Sequence, residues 1–302
     1  SGPELVKAQC QAGIVGSFPA LNARPAELLH DWLQEITESN TDFATANPGK
    51  KVGPLAVNQI VHRSNNRLEQ DMAVIVEHQV PIVITSLGAR TEINDAVHSY
   101  GGIVLHDVIN DRFARKAIEK GADGIVAVAA GAGGHAGTQS PFALVREIRE
   151  WFQGPLLMSG AISHGQSVLA ALAAGADFAY VGSAFLATKE ANAHPEYKDM
   201  IVQSVASDII YSNLFTGVHG NYLRGSIEAA GMDPSNLPES DPSTMNFGTS
   251  NDSDAKAWKD IWGAGQGVGS VKEIQTTGEL VARLKREFLA AQDQLRTRLA
   301  DF

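Results

Sequence analysis

The sequence predicts a parallel α/β fold: a barrel-like core followed by a mostly helical cap. Three observations carry this reading. Short β-branched, apolar runs alternate with helical patterns through residues 1–186. The runs are apolar throughout, which suits strands covered on both faces, as in parallel sheets. Several helices end in Gly and hand over to a strand, as in SYGG, EKGAD and AAGAD. Alternation of this kind builds either a (β/α)8 barrel or a doubly wound sheet.

The elements follow in order. SGPELVKAQCQAG reads as a helix ending at Gly13. Strands are expected at 13–20 (GIVGSFPA), 54–60 (PLAVNQI), 81–88 (PIVITSLG), 101–109 (GGIVLHDVI), 123–130 (DGIVAVAA), 155–162 (PLLMSGAI) and 177–186 (DFAYVGSAFL). Helices are expected near 25–39, 67–79, 91–100, 111–121, 141–152 and 164–175. That makes seven strands before the cap, where a barrel takes eight. The expectation is that the first barrel strand is absent from the chain, leaving a gap one strand wide between 177–186 and 13–20. From residue 187 the rhythm breaks into what reads as helices with a loop. The stretch 232–256, rich in Pro, Ser, Asn and Asp, reads as an exposed connection. TTGELVARLKREFLAAQDQLRTRLADF is a long amphipathic closing helix. The expected organisation is a core at 1–186 carrying the ligand site, a helical cap at 187–270 and a closing helix at 271–302 packed back on the barrel.

Composition narrows the function classes. With 302 residues and 44% hydrophobic content the chain can build a large core. A net charge of −10 speaks for solubility and against nucleic acid as a partner. No apolar run is long enough to span a bilayer, and the opening lacks the basic-then-apolar pattern of a signal peptide. One cysteine, Cys10, excludes an internal disulfide and fits a reducing cytoplasm. His30, His62, His78, His98 and His194 show no ligand spacing, and neither H-E-x-x-H nor paired Cys occurs, so no metal is expected.

In both candidate folds ligands bind at the carboxyl ends of strands. Those ends carry Ser17 and Phe18, Asn58 and Gln59, Thr85 and Ser86, His106 and Asp107, the loop GAGGHAGT (131–138), Ser159 and Gly160, and Gly182 and Ser183. Gly160 and Gly182 each sit between a strand and a helix, where backbone N–H groups and the helix dipole favour an anion. In (β/α)8 barrels the loops after the last two strands often hold a phosphate. GAGGHA formally matches a dinucleotide fingerprint, but the next strand ends LLMSGAI without the acidic residue that motif needs.

GGHAGT, SGAI, GSAF and TGVHGNYL together resemble the flavin-dependent nitronate monooxygenases, over nearly the whole chain. The resemblance implies a TIM barrel with an added helical domain and non-covalent FMN. It implies phosphate contacts from Gly160, Ala161, Gly182 and Ser183 beside Ser159, with Asn58, Ser86 and Gly134 along the flavin. Gln266, in WGAGQGVGS, would approach the flavin. His135 would be the active-site histidine, accepting a proton when neutral or donating to a nitro oxygen when charged. His219, Asn221 and Tyr222 would close over the substrate from the cap. The implied activity oxidises alkyl nitronates with O2 to carbonyl compounds and nitrite. FMN-dependent NAD(P)H reductases of the enoyl-thioester or quinone type share this fold and remain the alternative. The family also leaves a homodimer open. Two departures stand out: Gly131 occupies the place of a Glu in many members, and Ala136 that of a basic residue. Both bear on the native substrate more than on the cofactor.

Overall fold

The computed structural model describes residues 1–241 and 260–300. Helix α1 (Pro3–Gln11) leads into β1 (Gly16–Pro19). The alternation then runs α2 (Leu28–Ala46), β2 (Leu55–Ile60), α3 (Leu68–Glu77), β3 (Ile82–Ser86), α4 (Thr91–His98), β4 (Ile103–Val108), α5 (Asp111–Glu119) and β5 (Gly124–Val128). A two-residue strand β6 (Gly134–His135) lies in the following loop, before α6 (Pro141–Arg149), β7 (Leu156–Ser159), α7 (Gly165–Ala173), β8 (Phe178–Tyr180) and the short α8 (Ser183–Leu186).

The main sheet is wholly parallel, in the order β1-β2-β3-β4-β5-β7-β8. It curls as part of a barrel, so its two faces meet different partners. Ala56, Ile84, Leu105 and Val126 point inward and pack on one another. Their neighbours Val57, Val83, Val104 and Ile125 point outward and pack under the helices. Burial of both sets is why the strands read as unbroken apolar runs. The helices answer with single stripes, such as Leu29, Leu33 and Ile36 on α2. A buried ion pair, Arg67–Asp71 at 2.9 Å, adds a polar clip. The same guanidinium donates to the carbonyls of Ala23 and Ala20 at 2.7 and 3.4 Å, fixing the turn after β1.

β1 and β8 are the two edges of this sheet, and no described strand after residue 186 joins them. The Tyr180 hydroxyl on β8 nevertheless reaches the Ser17 hydroxyl on β1. Beyond 186 come α9 (Pro195–Gln203), β9 (Ile209–Ser212), β10 (Gly220–Leu223) and α10 (Arg224–Ala229). Here the structure differs from the helices-and-loop reading. β9 and β10 form an antiparallel hairpin, and β6 adds to it as a third strand, in the order β6-β10-β9. Four-residue strands show little periodicity, and their third partner comes from a loop some eighty residues earlier. Most of the connection expected at 232–256 lies outside the described residues.

The closing helix α11 (Thr277–Leu299) begins with a capping box, Thr276 with Glu279. It lies against α7 so closely that a Cβ on Gly165 would stand 2.2 Å from the Phe288 nitrogen and 2.4 Å from the Leu284 oxygen. Backbone cannot give way as a side-chain tip can, so the helices would have to separate. Gly165→Ala should therefore cost about 1–3 kcal/mol, read as a lower urea midpoint with an unchanged slope. An unaltered midpoint would mean that the two helices do not pack at this distance.

Candidate functional site

The carboxyl ends of the strands open into a cleft of about 2020 Å³. Of the expected residues, Asn58, Ser86, Gly134, His135, Ser159, Gly160, Ala161, Gly182, Ser183 and His219 all line it. A Cβ on Gly134 or Gly182 would meet no protein atom within 4 Å, so at both points bare backbone faces open space. Gly160 is different: its φ is +139° and a Cβ would lie 2.7 Å from the Ala130 oxygen, so the turn itself requires glycine.

The loop around His135 is built from backbone contacts. The Gly131 carbonyl accepts the N–H of Ala161 at 3.2 Å and that of Gln266 at 2.9 Å. Asn221 Nδ2 donates to the Ala132 carbonyl at 2.6 Å. β6 pairs with β10 through Gly220↔His135 and Asn221↔Gly134, and the Tyr211 hydroxyl donates to the Ala136 carbonyl at 2.9 Å. His135 Nε2 lies 3.0 Å from Thr216 Oγ1. Burial holds the imidazole down to about 4, so it is neutral at pH 7. The charged form that could donate twice to a nitro group is therefore absent at neutral pH.

A second polar row crosses the strand ends. Asn58 Nδ2 donates to Ser86 Oγ at 2.6 Å, and Ser86 Oγ donates to Asp107 Oδ2 at 2.6 Å. Burial pushes the Asp107 carboxyl up to about 6, while the Ser86 hydroxyl and the Leu87 N–H pull it back. Asn58 and Ser86 thus hold a carboxyl group as well as lining the cleft. The sequence offered Asp107 as a strand-end residue but gave it no role. Its neighbour His106 also borders the cleft, with Nδ1 2.6 Å from Thr85 Oγ1.

Several expected contacts are spent elsewhere. Tyr222 is 1% exposed and packs with Ile227 and Ile261, so its side chain is core and does not face the cleft. Asn221 is buried and braces the loop. Gln266 lays its side chain over Gly131, where a Cβ would stand 2.9 Å from Oε1, and does not line the cleft. His219 does line it, stacked on Tyr211 at 4.9 Å. The N–H of Ala161 goes to Gly131 and Ser183 Oγ accepts from the Gly265 N–H, so neither group is directed at an anion. At the N-terminus of α7 the protein supplies its own anion: Glu287 accepts the Gly165 N–H at 2.8 Å and pairs with Arg283 at 2.7 Å. Among the described residues no group of three His, Cys, Asp or Glu could hold a metal, and no helix is long and apolar enough to cross a membrane.

Comparison with known proteins places these features. The nitronate monooxygenase family model matches residues 20–287. The nitronate monooxygenase of Paraburkholderia phytofirmans is 30% identical over 241 residues, 74% of this chain and 65% of that protein. A probable nitronate monooxygenase of Bacillus subtilis is 28% identical over 183 residues, 56% of this chain and 52% of its own length. The chain thus spans less than two thirds of these relatives. Nitroalkane oxidase from Streptomyces ansochromogenes shares the fold at a TM-score of 0.77 and 23% identity, covering 98% of this chain and 94% of that one. FabK from Thermotoga maritima does so at 0.77 and 23%, over 98% and 92%.

The buried histidine predicts a pH effect. His135 titrates near 4 when folded and at its ordinary 6.5 when unfolded. Between those values the unfolded chain binds a proton that the folded chain refuses, so stability falls as pH drops from 6.5 to 4. His106, also held at about 4, acts in the same sense. Asp107 acts oppositely, since about 6 lies above its ordinary 3.8 and acid favours the folded form there. Comparing the protein with His135→Asn cancels the last two. Its stability relative to the variant should fall across that window and stay level above pH 7. A difference independent of pH would show that His135 is solvated.

Proposed function

The chain belongs to the nitronate monooxygenase family, and from that premise we propose that it binds FMN in the strand-end cleft and oxidises alkyl nitronates or nitroalkanes with O2, giving carbonyl compounds and nitrite. The observation that carries this is the pairing of bare backbone at Gly134 and Gly182 with a buried, neutral His135 beside it. A planar ring with one phosphate suits such a wall, because glycine allows close approach. Ser159, Gly160 and Gly182 would hold the phosphate end, and Asn58, Ser86 and Asp107 would lie along the ring. Bound there, FMN supplies the electron-accepting and oxygen-using chemistry.

The chain's own part is binding and proton handling. A nitroalkane carries an acidic C–H, and a neutral imidazole is the right form to take that proton. A nitronate has already lost it, so His135 has no proton to take from that anion. Asp107 adds negative charge above about pH 6, which disfavours an anionic ligand at that end of the cleft.

The test uses purified, FMN-loaded protein with a panel of nitroalkanes and their nitronates, following nitrite and oxygen. Turnover should need no NAD(P)H. His135→Asn should keep FMN and lose about 10²–10⁴-fold in turnover of neutral nitroalkanes. Flavin bleaching by NADH without nitrite formation would replace this reading with the reductase one.

A further inference from the structure

Thr216 sits in the TGVHGNYL motif, yet the sequence pointed to its neighbours. Its Oγ1 lies 3.0 Å from His135 Nε2 and 3.0 Å from the Val218 carbonyl oxygen. A threonine hydroxyl owns one hydrogen. A carbonyl can only accept, so the contact with Val218 takes that hydrogen. The Val218 N–H turns back on the same Oγ1 at 3.4 Å, which fixes the hydroxyl within a tight turn just before β10. Toward His135 the oxygen then offers a lone pair, and the nitrogen facing it must carry the proton.

We propose that Thr216 is a positioning residue that holds His135 as the Nε2–H tautomer and so places the basic lone pair on Nδ1. A backbone carbonyl or carboxylate partner commonly sets which imidazole nitrogen is basic, and here a threonine locked by its own turn does so. The backbone supports the arrangement, since β6 and β10 pair directly at His135 and Gly220. The titratable neighbours on the packed strands are Tyr211, which bonds the Ala136 carbonyl, His219, which stacks on Tyr211, and Tyr222, whose hydroxyl meets the Thr216 hydroxyl.

The tautomer has a consequence for substrate class, which rests on the function proposed above. With Nε2–H given to Thr216, Nδ1 is the ring nitrogen that can accept a proton. For a nitroalkane the C–H bond breaks, the proton moves to Nδ1 and the electron pair stays on the resulting nitronate. No oxidant enters that step. A preformed nitronate needs no such base. Thr216 therefore tunes the use of the neutral acid and leaves the use of its anion alone.

The experiment is nitrogen-15 NMR of imidazole-labelled full chain, with the His135 signals identified by their loss in His135→Asn. The expected spectrum has Nε2 protonated and Nδ1 unprotonated at pH 7. Thr216→Val should mix the tautomers and Thr216→Ser should restore them. In parallel, Thr216→Val should lower kcat/KM for nitroalkanes by about 10–100-fold, by analogy with the loss seen when the hydrogen-bond partner of a metal-binding imidazole is removed, while turnover of preformed nitronates stays unchanged. Protonation on Nδ1 in the unmodified protein overturns the proposal, and so does a valine variant with an unaltered tautomer. The first result needs no variant, so a misfolded valine protein leaves the test decisive. If no nitro compound is turned over, the proposed function fails while the spectrum still decides the tautomer.

Discussion

The mouth of this barrel depends on one carbonyl, that of Gly131. It accepts N–H groups from Ala161 and Gln266, so loops from three distant parts of the chain meet on a single oxygen. The contact is backbone on backbone. A Cβ on Gly265 would stand 2.5 Å from that oxygen, one on Gly133 would stand 2.7 Å from the Gly265 nitrogen, and one on Gly267 would crowd Ala161. Each loop thus satisfies polar groups that another would leave bare, and a buried group without a partner costs about 1–3 kcal/mol. The glycines in GAGGHAGT therefore serve close packing as much as freedom. A loop that looks flexible in sequence is pinned on both sides, and it carries a histidine whose place is fixed.

That packing determines the charge state of the site. Closing three loops around His135 removes water from the ring and keeps it neutral. Closing the strand ends over Asp107 raises its carboxyl, which the Ser86 hydroxyl and the Leu87 N–H hold in place, with Asn58 behind Ser86. The helix dipole of α7, the obvious attraction for a phosphate, is met by Glu287 from α11. An external anion is left with the turns at Gly160 and Gly182. Burial, more than any surplus of charged side chains, sets what this cleft can bind.

The parallel core was legible because it obeys local rules. Val57, Val83, Val104 and Ile125 face helices while Ala56, Ile84, Leu105 and Val126 face inward, so the pattern of unbroken apolar runs reported its own cause. His135, Gly134, Gly160 and Gly182 were legible too, from strand-end position and from the family motifs. What was lost involved long-range pairing. Tyr222 and Asn221 sit in a motif that suggested a ligand, but all four residues of β10 are buried, and these two neighbours face opposite sides, Tyr222 into an apolar cluster and Asn221 onto the Ala132 carbonyl. Thr216 carried no signal because its role depends on a strand some eighty residues away. Glu287 could not be placed from sequence, since reading it needs the distance between α7 and α11.

The same long-range pairing explains how the cap governs the histidine. β6 is two residues long, too short to persist unless another strand supplies its hydrogen bonds. β10 supplies them, and β10 is itself held by β9 and by the N–H of Ala264 bonding the Asn221 carbonyl. His135 is thus ordered by residues that belong to the cap in sequence. The loop that leaves the barrel provides the imidazole, the hairpin provides its direction, and Thr216 in the turn of that hairpin meets its Nε2. Any shift of the hairpin is passed to His135 through backbone bonds and not through a flexible side chain. His219 and Tyr211, on the same hairpin, line the cleft. One element therefore both borders the substrate's path and aims the residue that would take its proton.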